Sequence, residues 1–221
     1  MSGRTMKAVA AAAVAGAALT GCGGGSLKVG SAALVDGDRI TVSTLNEAVR
    51  DWQREFRADT TANRMRADPG SFGQGSAAEP LSETDLRRAL DWMVRFRIAD
   101  EVSRRQNVPV SEGRVDEVVN RLNQLGGAAS RTRAEGLPAR YTRDVARVVA
   151  VEDDLARRFG ATGDPRSPQT AAAVQQLEGV LVETAGRMKI TINPRFGSFD
   201  ARRVVINPAT TGLSAPESGI R

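Results

Sequence analysis

Residues 89–122 read ALDWMVRFRIADEVSRRQNVPVSEGRVDEVVNRL, and the way this stretch divides decides the fold. Its first part belongs to an amphipathic helix that the spacing predicts over about 83–106. Leu86, Leu90, Met93, Val94 and Ile98 recur at intervals of three and four, which stacks them on one face of a helix. Trp92 and Phe96 widen that face. NVPVS then breaks the run, because Pro109 biases Val108 away from the helical region. Ser111 is a favourable N-cap, and Val115, Val118, Val119, Leu122 and Leu125 resume the same period after it. Gly126-Gly127 ends this second helix.

Upstream, SAALVDGDRITVS places Asp36-Gly37 between the apolar run Ala32–Val35 and the alternating Ile40 and Val42. Asp-Gly between two such runs is a strong hairpin signal. Thr44 with Glu47 three residues on forms a capping box, which predicts a helix over about 44–58 with Leu45, Ala48, Val49, Trp52 and Phe56 inward. Residues 59–80 lose the period, and RADPGSFGQGSAAEP within them reads as a loop. Downstream, a helix is predicted over about 138–159, carrying Tyr141, Val145, Val148, Val149, Leu155 and Phe159. Residues 160–168 read as a linker, and Val174, Leu177, Leu181 and Val182 suggest a further helix over 169–186. Two strand-like segments, RMKITIN and ARRVVIN, follow before a small, polar tail at 208–221 that is expected to be disordered. The expected class is mainly α, with a small β-hairpin or sheet formed by strands from both ends of the domain.

Absent residue types exclude much chemistry. The chain has no histidine, so Ser-His and Cys-His nucleophile pairs, HExxH zinc sites and the facial triad are ruled out. With one cysteine, intramolecular disulfides and cysteine-based metal sites are ruled out as well. GCGGGS lacks the lysine and the preceding strand of a phosphate loop, and reads as a tether. Glu112 and Asp116 lie one turn apart near a helix N-terminus, where the helix dipole accounts for them, and Asp153-Asp154 carries no further catalytic signature. No enzyme activity is expected. The 31 basic residues are almost all arginine, only Lys7, Lys28 and Lys189 being lysine, and they are interleaved with 26 acidic ones. That is the pattern of solvated helix faces, so no nucleic-acid partner is expected. Aromatics make up only 4% of the chain, yet WQREF and WMVRF each place two of them four apart on a helix. Trp52, Phe56, Trp92 and Phe96 are therefore read as core residues or, where the two helices pack, as one end of an exposed apolar groove.

The order of hairpin, capped helix, loop, long helix and NVPVS-led helix resembles the N-terminal domain of SurA-type periplasmic chaperones, relatives of trigger factor and PrsA-like foldases. ALVDGDRITVSTLNEAV and the stretch at 89–122 carry the likeness. Asp36 stands where that family usually has asparagine, Asn107 where it has glycine, and Arg97 interrupts the aliphatic series. INPRFGSFD resembles the closing segment of such proteins, in which a strand returns to the first hairpin. The family's parvulin isomerase domain has no room between Phe159 and the terminal strands, and its active-site histidines are missing. The resemblance thus implies a non-catalytic holdase that binds unfolded or newly exported polypeptides, with Trp52, Phe56, Trp92 and Phe96 as candidate peptide-binding residues. The alternative is a structural or adaptor lipoprotein docking one envelope protein.

The N-terminal segment bears on location. Arg4 and Lys7 precede the apolar run Ala8–Leu19, the layout of a secretory signal. As a helix this run would be about 18 Å long against a bilayer core of about 30 Å, too short to span it. Leu19-Thr20-Gly21-Cys22 resembles the lipobox of bacterial lipoproteins. That implies cleavage between Gly21 and Cys22, diacylglycerol on the Cys22 thiol and no other cofactor. The expected organisation is a signal peptide over 1–21, a lipid-anchored tether over 22–31, a helical domain over 32–207 and the tail. The protein is expected on the cell membrane, facing the extracytoplasmic side.

Overall fold

The computed structural model describes residues 28–67 and 82–209. The expected signal peptide, Gly21 and Cys22, most of the tether, the second part of the 59–80 loop and nearly all of the tail lie outside the described residues. Within them the chain is mainly helical. Strands β1 (Ser31–Val35) and β2 (Asp38–Thr41) lead into α1 (Val42–Ala58) and α2 (Thr60–Ala67). Helices α3 (Glu83–Arg105), α4 (Glu112–Gln124), α5 (Ala128–Ala134), α6 (Thr142–Arg158) and α7 (Pro168–Arg187) follow. Strands β3 (Ile190–Ile192), β4 (Ser198–Asp200) and β5 (Val205–Asn207) complete the order.

The hairpin forms where the sequence placed it. Asp36 and Gly37 both take positive φ, 49° and 94°, the two left-handed residues of a type I′ turn. β3 returns from the far end of the chain and pairs antiparallel with β1, opposing Ile192 to Ala33 and Ile190 to Val35. The result is a three-stranded sheet in the order β2-β1-β3, beside a separate β4-β5 hairpin. β1 and β3 are tied beyond the last ladder pair at Asp36, whose N–H donates to the Lys189 carbonyl at 3.0 Å and whose Oδ1 accepts the Lys189 N–H at 2.6 Å.

Helix α1 begins two residues before the expected capping box. Thr41 is the N-cap, its Oγ1 accepting the Thr44 N–H at 3.0 Å, so β2 passes directly into the helix. The apolar stripe is as the period demands: Leu45, Ala48, Val49, Trp52 and Phe56 are all buried. Ser111 caps α4 as expected, with its Oγ accepting the Arg114 N–H.

The end of α3 explains a residue choice. Asn107 takes φ 51°, its N–H donates to Arg104 O and the Val108 N–H reaches back to Ser103 O at 2.9 Å. This is a Schellman closure, and asparagine is the non-glycine residue that best tolerates its left-handed position.

Three expectations need correction. Residues 59–80 are not all loop, because α2 occupies Thr60–Ala67. Its buried face is Ala62 and Arg66, so no apolar period announced it. The helix expected over 138–159 is a 3₁₀ turn (Ala139–Tyr141) followed by α6, and α5 precedes it unforeseen. Within INPRFGSFD, only its first residue, Ile192, belongs to the strand β3 that returns to the first hairpin, whereas Ser198–Asp200 form β4 and pair with β5 instead. Gly197 is required there: with φ 123°, a Cβ on it would lie 1.9 Å from the Asn207 carbonyl oxygen of the partner strand.

α3 is the axis of the molecule, packed against α1, α6, α7, β1 and β5. That is why its apolar residues extend round more than one face, with Leu86, Leu90, Met93, Val94, Ile98 and Val102 all buried. A smaller cluster of Val115, Val118, Ala146 and Ala150 holds α4 to α6.

Candidate functional site

The two aromatic pairs, alike in sequence, have different surroundings. Trp52 and Phe56 on α1 are 0% and 3% exposed and contact each other at 5.2 Å between ring centroids. The Trp52 indole N–H donates to the Arg133 carbonyl of α5 at 2.7 Å. The Arg66 guanidinium covers both rings, at 4.8 and 5.2 Å from their centroids, and reaches Asp85 at 3.4 Å. These two aromatics are core, and their candidacy as peptide contacts is corrected: no face of either is open to a peptide.

This corner is fastened by ion pairs. Arg133 donates to Glu55 at 3.0 Å and to Asp59 at 2.8 Å. Asp59 also accepts the Thr61 and Ala62 N–H groups that start α2, and the Ser130 hydroxyl at 2.8 Å. Burial pushes the Asp59 carboxyl up, but the Ala62 N–H, Ser130 and Arg133 outweigh it and hold it below the ordinary range.

Trp92 and Phe96 on α3 are only partly buried, and each opens on a different depression. Phe96 stacks on Tyr141 at 5.9 Å and walls a cleft of about 280 Å³ beside β2. Arg39, Arg97 and Arg147 line that cleft with Asp100 and Asp144. Burial, with a smaller contribution from Asp100, raises the Asp144 carboxyl. The arginines there are engaged: Arg39 with the Val29 carbonyl, Arg147 with Glu112 and the Val110 carbonyl, Arg97 distantly with Asp38.

Trp92 faces the larger depression, a groove of about 750 Å³ between α3, α7 and the β4-β5 hairpin. Its floor is Trp92, Leu181, Val182 and the Val204–Ile206 stretch; its rim carries Arg87, Arg88, Arg95, Arg202 and Arg203 against Asp91, Glu135 and Glu178. Asp91 fixes the hairpin to α3, since its Oδ1 accepts the Ile206 N–H at 2.8 Å. Burial raises the Asp91 carboxyl, against the smaller opposing effects of that N–H and of Arg95. Arg95 lies over the Trp92 ring at 5.5 Å and pairs with Glu152 at 3.0 Å. The floor residues on α7 were legible as apolar helix positions. The hairpin's contribution was not, because nothing in ARRVVIN tells which helix the turn will overhang.

The carboxylate pairs noted in the sequence are structural. Glu112 binds Arg143 and Arg147, and Asp116 binds Arg143 at 2.6 Å. Asp153 and Asp154 bind Arg114, with Arg121 and Arg157 alongside, so both pairs lace α4 to α6. Among the described residues, no group of three or more potential ligands is placed to hold a metal, and no helix is long and apolar enough to cross a membrane. No family model, curated protein or solved structure matches the chain.

Proposed function

We propose that this protein is a lipid-anchored, extracytoplasmic polypeptide-binding protein acting as a non-catalytic holdase for unfolded or newly exported chains. The observation that carries this reading is the Trp92 groove. It is open, and its lining combines Trp92 and the apolar Leu181, Val182 and Val204–Ile206 with charged side chains of both signs. An extended peptide buries alternate side chains and leaves its backbone near solvent, so a groove of that make-up accepts many sequences. Covalent lipid on Cys22, as the lipobox-like Leu19–Cys22 implies, would hold the groove at the membrane surface, where emerging chains are at raised effective concentration.

The test uses the lipidated protein in nanodiscs of neutral lipid, mixed with a chemically unfolded, aggregation-prone protein while light scattering is followed. Suppression at near-stoichiometric ratio is expected, and Leu181→Asp in the groove floor should weaken it. Absence of suppression at large molar excess would overturn the holdase reading in favour of an adaptor that docks one envelope partner.

A further inference from the structure

The β4-β5 turn is strained and carries unpaired charge. Val204 takes φ 53°, a left-handed conformation that β-branched residues almost never adopt. Among the described residues, the other non-glycine positions with positive φ, Asp36 and Asn107, are types that tolerate it. Strain of this kind persists only where surrounding structure holds it, and it concentrates at binding sites. Here two constraints hold it: the Asp91–Ile206 bond behind the turn and the close approach of Gly197 to the Asn207 carbonyl. The strained residue is also part of the groove lining.

The same turn presents Arg202 and Arg203, both exposed. Their backbone N–H groups bond Asp200, but neither guanidinium has an ion pair or hydrogen bond among the described residues. Among those residues Arg50 and Arg166 likewise lack an ion pair, but of these unpaired arginines only Arg202 and Arg203 line the groove. Of the rim acids, Asp91 is occupied by Ile206 and Glu135 by Arg131, which leaves Glu178 as the one acid without a partner. Arg87 on the opposite wall makes only a 3.4 Å contact with Thr84. The rim is therefore net cationic, and two of its unpaired guanidinium groups project from one turn whose backbone is held in place.

Resting on the polypeptide-binding reading above, we infer that Arg202 and Arg203 form a carboxylate-reading clamp. It selects extended segments in which an apolar side chain, seated against Trp92 and Leu181, is flanked by Asp or Glu. Guanidinium matches carboxylate in a two-pronged geometry, and a pre-set turn loses little entropy on binding.

The experiment is fluorescence anisotropy with the full lipidated protein in neutral-lipid nanodiscs. Three labelled peptides share one apolar core and carry Glu, Gln or Lys flanks. At low ionic strength the Glu-flanked peptide should bind about tenfold more tightly than the Gln-flanked one, the effect of two exposed ion pairs. Salt should compress that ratio, and the double variant Arg202→Glu/Arg203→Glu should invert the order in favour of Lys flanks. Equal binding of all three peptides, unchanged in the double variant, would overturn the clamp while leaving the holdase reading intact. Loss of binding to anionic vesicles in the variant, with no peptide selectivity in the parent, would also overturn it and reassign the arginines to lipid headgroups. Failure of every peptide to bind despite suppression of aggregation would reject the groove as the site; failure of both assays would reject the two readings together.

Discussion

WQREF and WMVRF are nearly the same sentence written twice, and the fold reads them differently. On α1 the Trp–Phe pair is enclosed by α2, α5 and the start of α3, its indole N–H satisfied and its rings covered by Arg66. On α3 the pair lies on the axis of the molecule, and its neighbours α7 and β5 leave a gap over Trp92. The first corner joins Arg133, Glu55, Asp59 and Ser130 in one network, and its under-bonded cation, Arg66, is sealed over the rings. The second leaves charges free and holds a valine in a left-handed turn. Where a pattern recurs, then, function is sought where the surroundings stay incomplete, because closed packing leaves a ligand nothing to add.

Paired truncation tests that contrast most directly. Trp52→Ala removes a fully buried indole and leaves a cavity, so urea unfolding should show a loss of about 3–5 kcal/mol. Trp92→Ala removes a side chain that is only partly buried, and a smaller loss of about 2 kcal/mol is expected. The ranking should reverse for peptide binding, which Trp92→Ala weakens and Trp52→Ala spares wherever the protein is still folded. Equal stability losses would mean that Trp92 is core and the groove is shallower than described.

The two regions should also respond oppositely to pH. Asp59 has a folded-state carboxyl held below its unfolded value, so its stabilisation is complete above the ordinary carboxylate range and is lost as pH falls through the folded value. Asp59→Ala removes the start of α2 and strands Arg133, at a cost of about 2 kcal/mol at neutral pH. That deficit should shrink on acidification. Asp91 is raised by burial, so its ionised form is disfavoured in the folded state, and stability falls as pH rises from the unfolded towards the folded value. Asp91→Asn keeps an oxygen for the Ile206 N–H and removes the buried charge, so no loss is expected at pH 7. A clear destabilisation by Asp91→Asn would show that Arg95 holds the charge more firmly than burial penalises it.

The legible part of this fold was what periodicity and turn chemistry encode. Asp36-Gly37, the α3 stripe, Ser111 and Gly126-Gly127 each act locally, and each was found in place. What was not legible acts through partners distant in sequence. α2 escaped because its inward residues are an alanine and an arginine, and Arg66 counts as surface until Trp52, Phe56 and Asp85 are seen around it. The sequence could not divide the four candidate aromatics into core and groove, since both roles require the same residue types at the same spacing. Arg202 and Arg203 looked like any solvated pair until the fold set them, unpaired, at the groove.

The smallest expected effect probes the strained turn itself. A left-handed conformation costs a β-branched residue about 1–2 kcal/mol, and glycine would recover it. Val204 is also partly buried against the core, so Val204→Gly gives up packing and adds backbone freedom to the unfolded chain. The two nearly cancel, and chemical denaturation should show a net gain under about 1 kcal/mol. Peptide affinity should fall nonetheless, because a glycine at 204 loosens the turn that positions Arg202 and Arg203 and removes a side chain from the groove lining. Stability and binding would then move in opposite directions at a single residue, as expected when strain is retained for a site. If Val204→Gly instead destabilises by more than about 1 kcal/mol and leaves binding unchanged, the valine serves the core and the turn's conformation is incidental to the groove.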